Sequence, residues 1–146
     1  EIMGECFLWL GLPGWGLLDY LCVTERRRNS GAGAWMLAAL RQAEPDMVIL
    51  VESEAPVHAP DSELAERRMG FYARCGLRTA GYDTDVFGAH YKTLYMWREP
   101  LPDRRLMEEN RFIYQNRFPK EKYDRYVRIP RDPAAGPVRQ VPWNED

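Results

Sequence analysis

Glu52 and Glu54 follow the apolar run MVILV, and their placement suggests chemistry. A carboxylate at the end of a buried strand is partly stripped of water. That disfavours its charge and lifts its pKa toward the range where it can act as a general base. A spacing of two sets both on one face of an extended segment. The same pair could instead bind a cationic group or simply end a strand in solvent. A second group is Arg28-Asn29-Ser30-Gly31-Ala32-Gly33, which lies between LLDYLCV and the helix-like WMLAAL. A strand, a glycine-bearing loop and a helix start leave backbone N–H groups pointing outward without partners, and phosphate oxygens suit them. Arg28, three residues before Gly31, adds a cation fit for pyrophosphate. The alternative is an ordinary turn carrying the solvated run Arg26-Arg27-Arg28. A third candidate is Tyr72, in Phe71-Tyr72 ahead of Gly76-Leu77, whose phenol can donate a proton or pack a core.

Two familiar phosphate loops do not fit. A P-loop needs Lys and then Ser or Thr after its last glycine, where Ala34-Trp35 stands; a dinucleotide fingerprint needs a small residue at Met36. Cys6, Cys22 and Cys75 are odd in number and lack metal-ligand spacing, so no metal site is read and a reduced, cytoplasmic setting is expected. Cys75 lies one helical turn from Tyr72 without a paired histidine, so no cysteine nucleophile is read. His58 and His90 are far apart and read as surface or structural residues. A net charge of -2 argues against a general nucleic-acid binder, although cations and aromatics interleave over residues 111–128. Residues 2–23 are apolar, yet Glu1, Glu5 and the break at Gly11-Leu12-Pro13-Gly14 speak against a signal or spanning helix.

These groups need elements to position them. Strands are expected over residues 5–10 and 17–23, joined by a turn over 11–16. A loop over 24–30 leads into a helix from Ala32 to about Ala43, with Trp35, Met36, Ala39 and Leu40 at helical spacing. Residues 47–51 read as a strand buried on both faces. Asp61 or Ser62 can cap a helix ending near Arg74, with Gly76 as its stop. Strands over 77–87 and 91–97 flank Gly88-Ala89-His90. This alternation points to an α/β fold, a mixed sheet with helices packed against it. A further helix over 103–118 sets Leu106, Met107, Ile113, Tyr114 and Phe118 to one side. The expected organisation is a domain over 1–97, a helical extension over 98–130 and a proline-bearing disordered tail over 131–146.

The sequence R-x-x-G-x-G, an apolar strand about 20 residues on, and then FYxxxGL resembles the GNAT (N-acetyltransferase) superfamily across residues 17–97. The resemblance implies a GNAT-like fold and acetyl transfer from acetyl-CoA, the co-substrate, to an amine. It implies that strand 17–23 splays from strand 47–51 with pantetheine in the gap. The implied cofactor contacts are Cys22, Val23, Thr24, Arg28, Asn29, Ser30, Gly31, Ala32, Gly33 and Ala34, with Tyr72 as general acid. A backbone N–H near Val23 would meet the oxyanion. The chain departs from the family in being N-terminally shortened, since only residues 1–23 precede Thr24 and the elements usual there form much of the acceptor pocket. Either those elements lie outside this chain or the C-terminal extension takes part of their place. The acceptor amine is therefore unnamed, and a non-catalytic CoA-binding module is the alternative. The expected partners are a CoA thioester and an amine, without nucleic acid or membrane; a homodimer stays open.

Overall fold

The computed structural model describes residues 4–23 and 31–135, with the backbone alone for residues 20–23. In chain order the elements are β1 (Gly4–Leu10), β2 (Trp15–Val23), α1 (Ala32–Ala43), β3 (Val48–Glu54) and a one-turn 3-10 helix (Pro56–His58). Then come α2 (Ser62–Arg74), β4 (Arg78–Val86), β5 (Ala89–Met96), α3 (Asp103–Arg117), α4 (Lys120–Tyr126) and β6 (Val127–Arg128). The strands form one sheet in the order β1-β2-β3-β5-β4-β6. β2 and β3 run parallel, as their connection through α1 requires, and the other pairs are antiparallel.

β3 is the centre of the core, with Ile49 and Leu50 wholly buried. Side chains alternate across a strand. Val48 and Leu50 therefore join Leu17, Tyr95, Leu106, Ile113 and Tyr114 on one face. Ile49 and Val51 join Leu18, Leu37, Leu94 and Met96 on the other, with Met69, Phe71 and Tyr72 packed against them. α1 and α2 thus cover one face of the sheet and α3 the opposite one. A Cβ on Gly11 would lie 2.8 Å from Ile113 Cγ1, so the turn between β1 and β2 accepts α3 because it is glycine there.

Several elements differ from the sequence expectation. β3 does not end at Val51; pairing with β5 carries it through Ser53↔Lys92 to Glu54↔Tyr91. α1 buries Leu37 and packs Leu40 against the same cluster but leaves Trp35 61% exposed, so of the apolar spacing expected there Trp35 falls off the buried stripe. Two residues turn a helix by about 200°, so Leu37 and Trp35 point nearly opposite ways. α4 and β6 add a short outer strand on β4. The tail does not begin at Arg131, whose N–H donates to the Asp83 carbonyl at 2.7 Å and whose Nε meets Asp85 at 3.1 Å. The remainder of that expected tail, residues 136–146, lies outside the described residues. Among the described residues, no helix is long and apolar enough to cross a membrane.

Candidate active site

The parallel pairing of β2 with β3 covers only Trp15↔Val48 to Leu18↔Val51. Beyond it β2 stays bound to β1 as far as Val23↔Gly4, and β3 stays bound to β5 as far as Glu54. The two parallel strands therefore part at Asp19 and Glu52. A bulge helps to open them: Phe7 pairs with Tyr20 and Leu8 with Leu18, leaving Asp19 as the extra residue.

A cavity of about 340 Å³ opens at this parting on the α3 face. Trp9, Asp19, Glu52, Phe87, Tyr91 and Tyr114 contribute to its lining. Leu17 and Leu18 belong to opposite core faces yet both line it, so it reaches the gap between the strands. Glu52 is deeply placed, and the Tyr114 hydroxyl reaches both of its carboxylate oxygens, at 2.8 and 2.9 Å. Burial pushes the Glu52 carboxyl up, the Tyr114 bond pulls it down, and the Asp19 charge adds to the rise, giving a pKa of about 7. Tyr114 is driven well above 10 by burial, by the Glu52 charge and by that bond, so it stays a phenol that donates. Tyr91 is pushed to about 12 by burial and the charges of Glu52, Glu54 and Asp19. Burial also raises Asp19, against the pull of Arg117 and a hydrogen bond from Trp9.

The expected site residues fall into three places. Glu52 lines the cavity; Glu54, two residues on along β3, does not, although its charge bears on Tyr91. Tyr72 lies on the other face of the sheet, packed beside the cluster of Leu18, Ile49 and Val51. Burial raises its pKa, with Arg68 lowering and Cys75 raising it. Gly31 caps α1 at φ 84, and α1 has neither a side-chain cap nor an acidic residue in its first turn. Among the described residues, no side chain of the cap or the first turn satisfies the first N–H groups of Ala32, Gly33 and Ala34. Cys22 and Val23 are described as β2 backbone, paired with Glu5 and Gly4. Thr24, Arg28, Asn29 and Ser30 lie outside the described residues.

Sequence reasoning missed Asp19, Tyr91 and Tyr114 as cavity residues. Asp19 had a signal, as the one charge inside the strand WGLLDYLCV. Tyr114 had a weaker one: a tyrosine on an apolar helix face must bring its hydroxyl to a partner.

No protein-family profile and no curated protein matches the sequence. Solved structures do resemble it. A protein from Bacteroides thetaiotaomicron proposed as a GNAT-family acetyltransferase aligns at a TM-score of 0.56 and 22% identity, over 73% of this chain and 60% of that one. The Bacillus subtilis acetyltransferase solved in complex with CoA aligns at a TM-score of 0.50 and 16% identity, over 66% of this chain and 69% of that one. The fold is GNAT-like. The chain spans 60% of the length of the Bacteroides protein.

Proposed function

We propose that the protein transfers an acyl group, acetyl in the expected case, from CoA to a primary amine by direct attack. The carrying observation is the parting of β2 and β3 at Asp19 and Glu52, with a half-buried carboxylate of pKa about 7 at the opening. A gap in the sheet lets two reactants approach from opposite faces. In this reading the thioester enters from the α1 and α2 face. Its pyrophosphate rests on the first N–H groups of α1 and the loop with Arg28, Asn29 and Ser30, and pantetheine runs beside Cys22, Val23 and Thr24. The amine enters the cavity on the α3 face, beside Tyr114.

Glu52 takes a proton from the ammonium, and the freed lone pair attacks the thioester carbonyl carbon. A backbone N–H near Val23 holds the oxyanion while the C–N bond forms. The C–S bond then breaks, and Tyr72, kept protonated by burial, gives its proton to the leaving thiolate. The surplus proton on the new amide nitrogen passes to water, from which Tyr72 is reprotonated. Glu54 stands outside the cavity and suits attraction of a cationic acceptor better than proton transfer. Acetyl-CoA and a cytoplasmic setting go with this reading; a homodimer is not required by it.

Calorimetry with CoA and acetyl-CoA, followed by thiol release with a panel of primary amines, tests the proposal. Binding with turnover supports it, and no binding at millimolar ligand by folded protein overturns it. A non-catalytic CoA-binding module would bind without releasing thiol with any amine. The Glu52–Tyr114 pair favours turnover, because drawing a carboxylate partly out of water is costly and packing alone does not need it.

A further inference from the structure

His58 and His90, 32 residues apart in sequence, face each other with their Nδ1 atoms 2.7 Å apart. His90 Nε2 lies 2.7 Å from Asp83 Oδ2, and Lys92 Nζ lies 2.9 Å from Asp83 Oδ1. The chemistry of imidazole fixes how this chain is wired. His90 donates Nε2–H to the carboxylate, so in its neutral form Nδ1 is bare and accepts the Nδ1–H of His58. Burial pushes the Asp83 carboxyl up, but hydrogen bonds from His90 and Lys92 and their charges outweigh it and hold the group below its ordinary range. His90 is on β5, and His58 is on the 3-10 turn joining β3 to α2. The Ala55 N–H donates to the His90 carbonyl at 2.9 Å, and the His58 N–H to the Ala55 carbonyl at 3.1 Å.

We propose that the imidazole pair is a pH-sensitive clip that fastens the connection between β3 and α2 to β5. It is closed while one ring is bare at Nδ1 and the other carries a proton there. Once both rings carry protons there, neither can accept and two cations face each other. The neighbouring charges do not prevent this. Asp83 is engaged by His90 and Lys92, Asp85 on β4 by Arg131, and from α2 it is Glu66 that shares the space with Lys92. The clip opens on acidification, since imidazole ordinarily changes charge between about pH 5 and 8. It fastens both sides of the candidate site's outer end, because Glu54 directly precedes Ala55 and Tyr91 directly follows His90. The inference does not depend on the acyltransferase reading.

Amide hydrogen exchange from pH 8 to pH 5, corrected for intrinsic rates, tests it in the parent and in His58→Gln, which can still hydrogen-bond His90 without titrating. Protection at Ala55, His58 and Ala59 should fall about three- to tenfold in the parent, the equivalent of one net hydrogen bond. It should stay level in the variant. Parent protection that stays level, or an equal fall in both proteins, overturns the clip. Should His58→Gln fail to fold, histidine ring-nitrogen NMR of the parent decides. At pH 8 the clip requires a protonated His58 Nδ1 hydrogen-bonded to a bare His90 Nδ1, and two rings without that bond overturn it.

Discussion

The Glu52 carboxylate accepts the Tyr114 hydroxyl and is still held at about 7, because burial outweighs the bond. The sign of its stability effect follows. Folded Glu52 keeps its proton up to about pH 7, whereas the unfolded residue releases it near its ordinary 4.5. The stabilisation is therefore complete below pH 4.5 and is lost as pH rises through about 7. Glu52→Gln should unfold like the parent at pH 4 yet be more stable at pH 8, by on the order of 2–3 kcal/mol. Urea melts at the two pH values would show it, and a parent as stable at pH 8 as the variant would count against the buried carboxylate. Tyr114→Phe removes a bond that lowers the Glu52 pKa. The acid limb of the pH-rate profile should then move to higher pH, with a stability loss of about 1 kcal/mol by the same melts. An unmoved limb would mean that Tyr114 does not tune Glu52. Glu52 was legible from sequence as the end of an apolar run, but Tyr114 lies 62 residues away and nothing local announces that the two meet.

At the scale of elements, most of the fold was legible because the punctuation is strong. Asp61 accepts from the Leu64 N–H to open α2, and Gly76 at φ 85 follows its end, as their residue types suggested. The stripe of α1 was not legible, because a tryptophan weighs heavily in any apolar count while its exposure is settled by which side meets the sheet. Leu37→Ala should cost about 2–5 kcal/mol and Trp35→Ala less than about 0.5, measured by denaturant melts. The reverse order would contradict the packing of α1. The end of β3 was missed because Glu52, Ser53 and Glu54 lack strand character and are held by the neighbouring β5. Gly31 has open space around a Cβ, so its requirement is conformational, from φ 84. Gly31→Val should weaken CoA binding at low and high salt alike. Arg28→Ala should weaken it mainly at low salt, where the pull of a cation on a polyphosphate is unscreened. Titrations at both ionic strengths separate the two, and parent-like affinity in both variants would remove this loop from the cofactor site.

Taken as a whole, the molecule is a sheet with a hole in it. α1 and α2 present Tyr72 and the N-terminus of α1 on one side, and α3 closes the cavity around Glu52 on the other. The motifs proposed for the cofactor are each contiguous in sequence. The cavity proposed for the acceptor is assembled from β1, β2, β3, the β4–β5 hairpin and α3, so only the fold brings its residues together. The central claim is that Glu52 accepts the proton of an amine attacking across the gap. The most direct test is the pH dependence of kcat/KM for CoA thiol release in the parent and in Glu52→Gln, with CoA affinity measured alongside. The parent should show an acid limb centred near pH 7. The variant should lose that limb and fall by about a hundredfold or more above it, with CoA affinity unchanged. A Glu52→Gln enzyme that keeps the parent's rate and its pH profile would contradict the account.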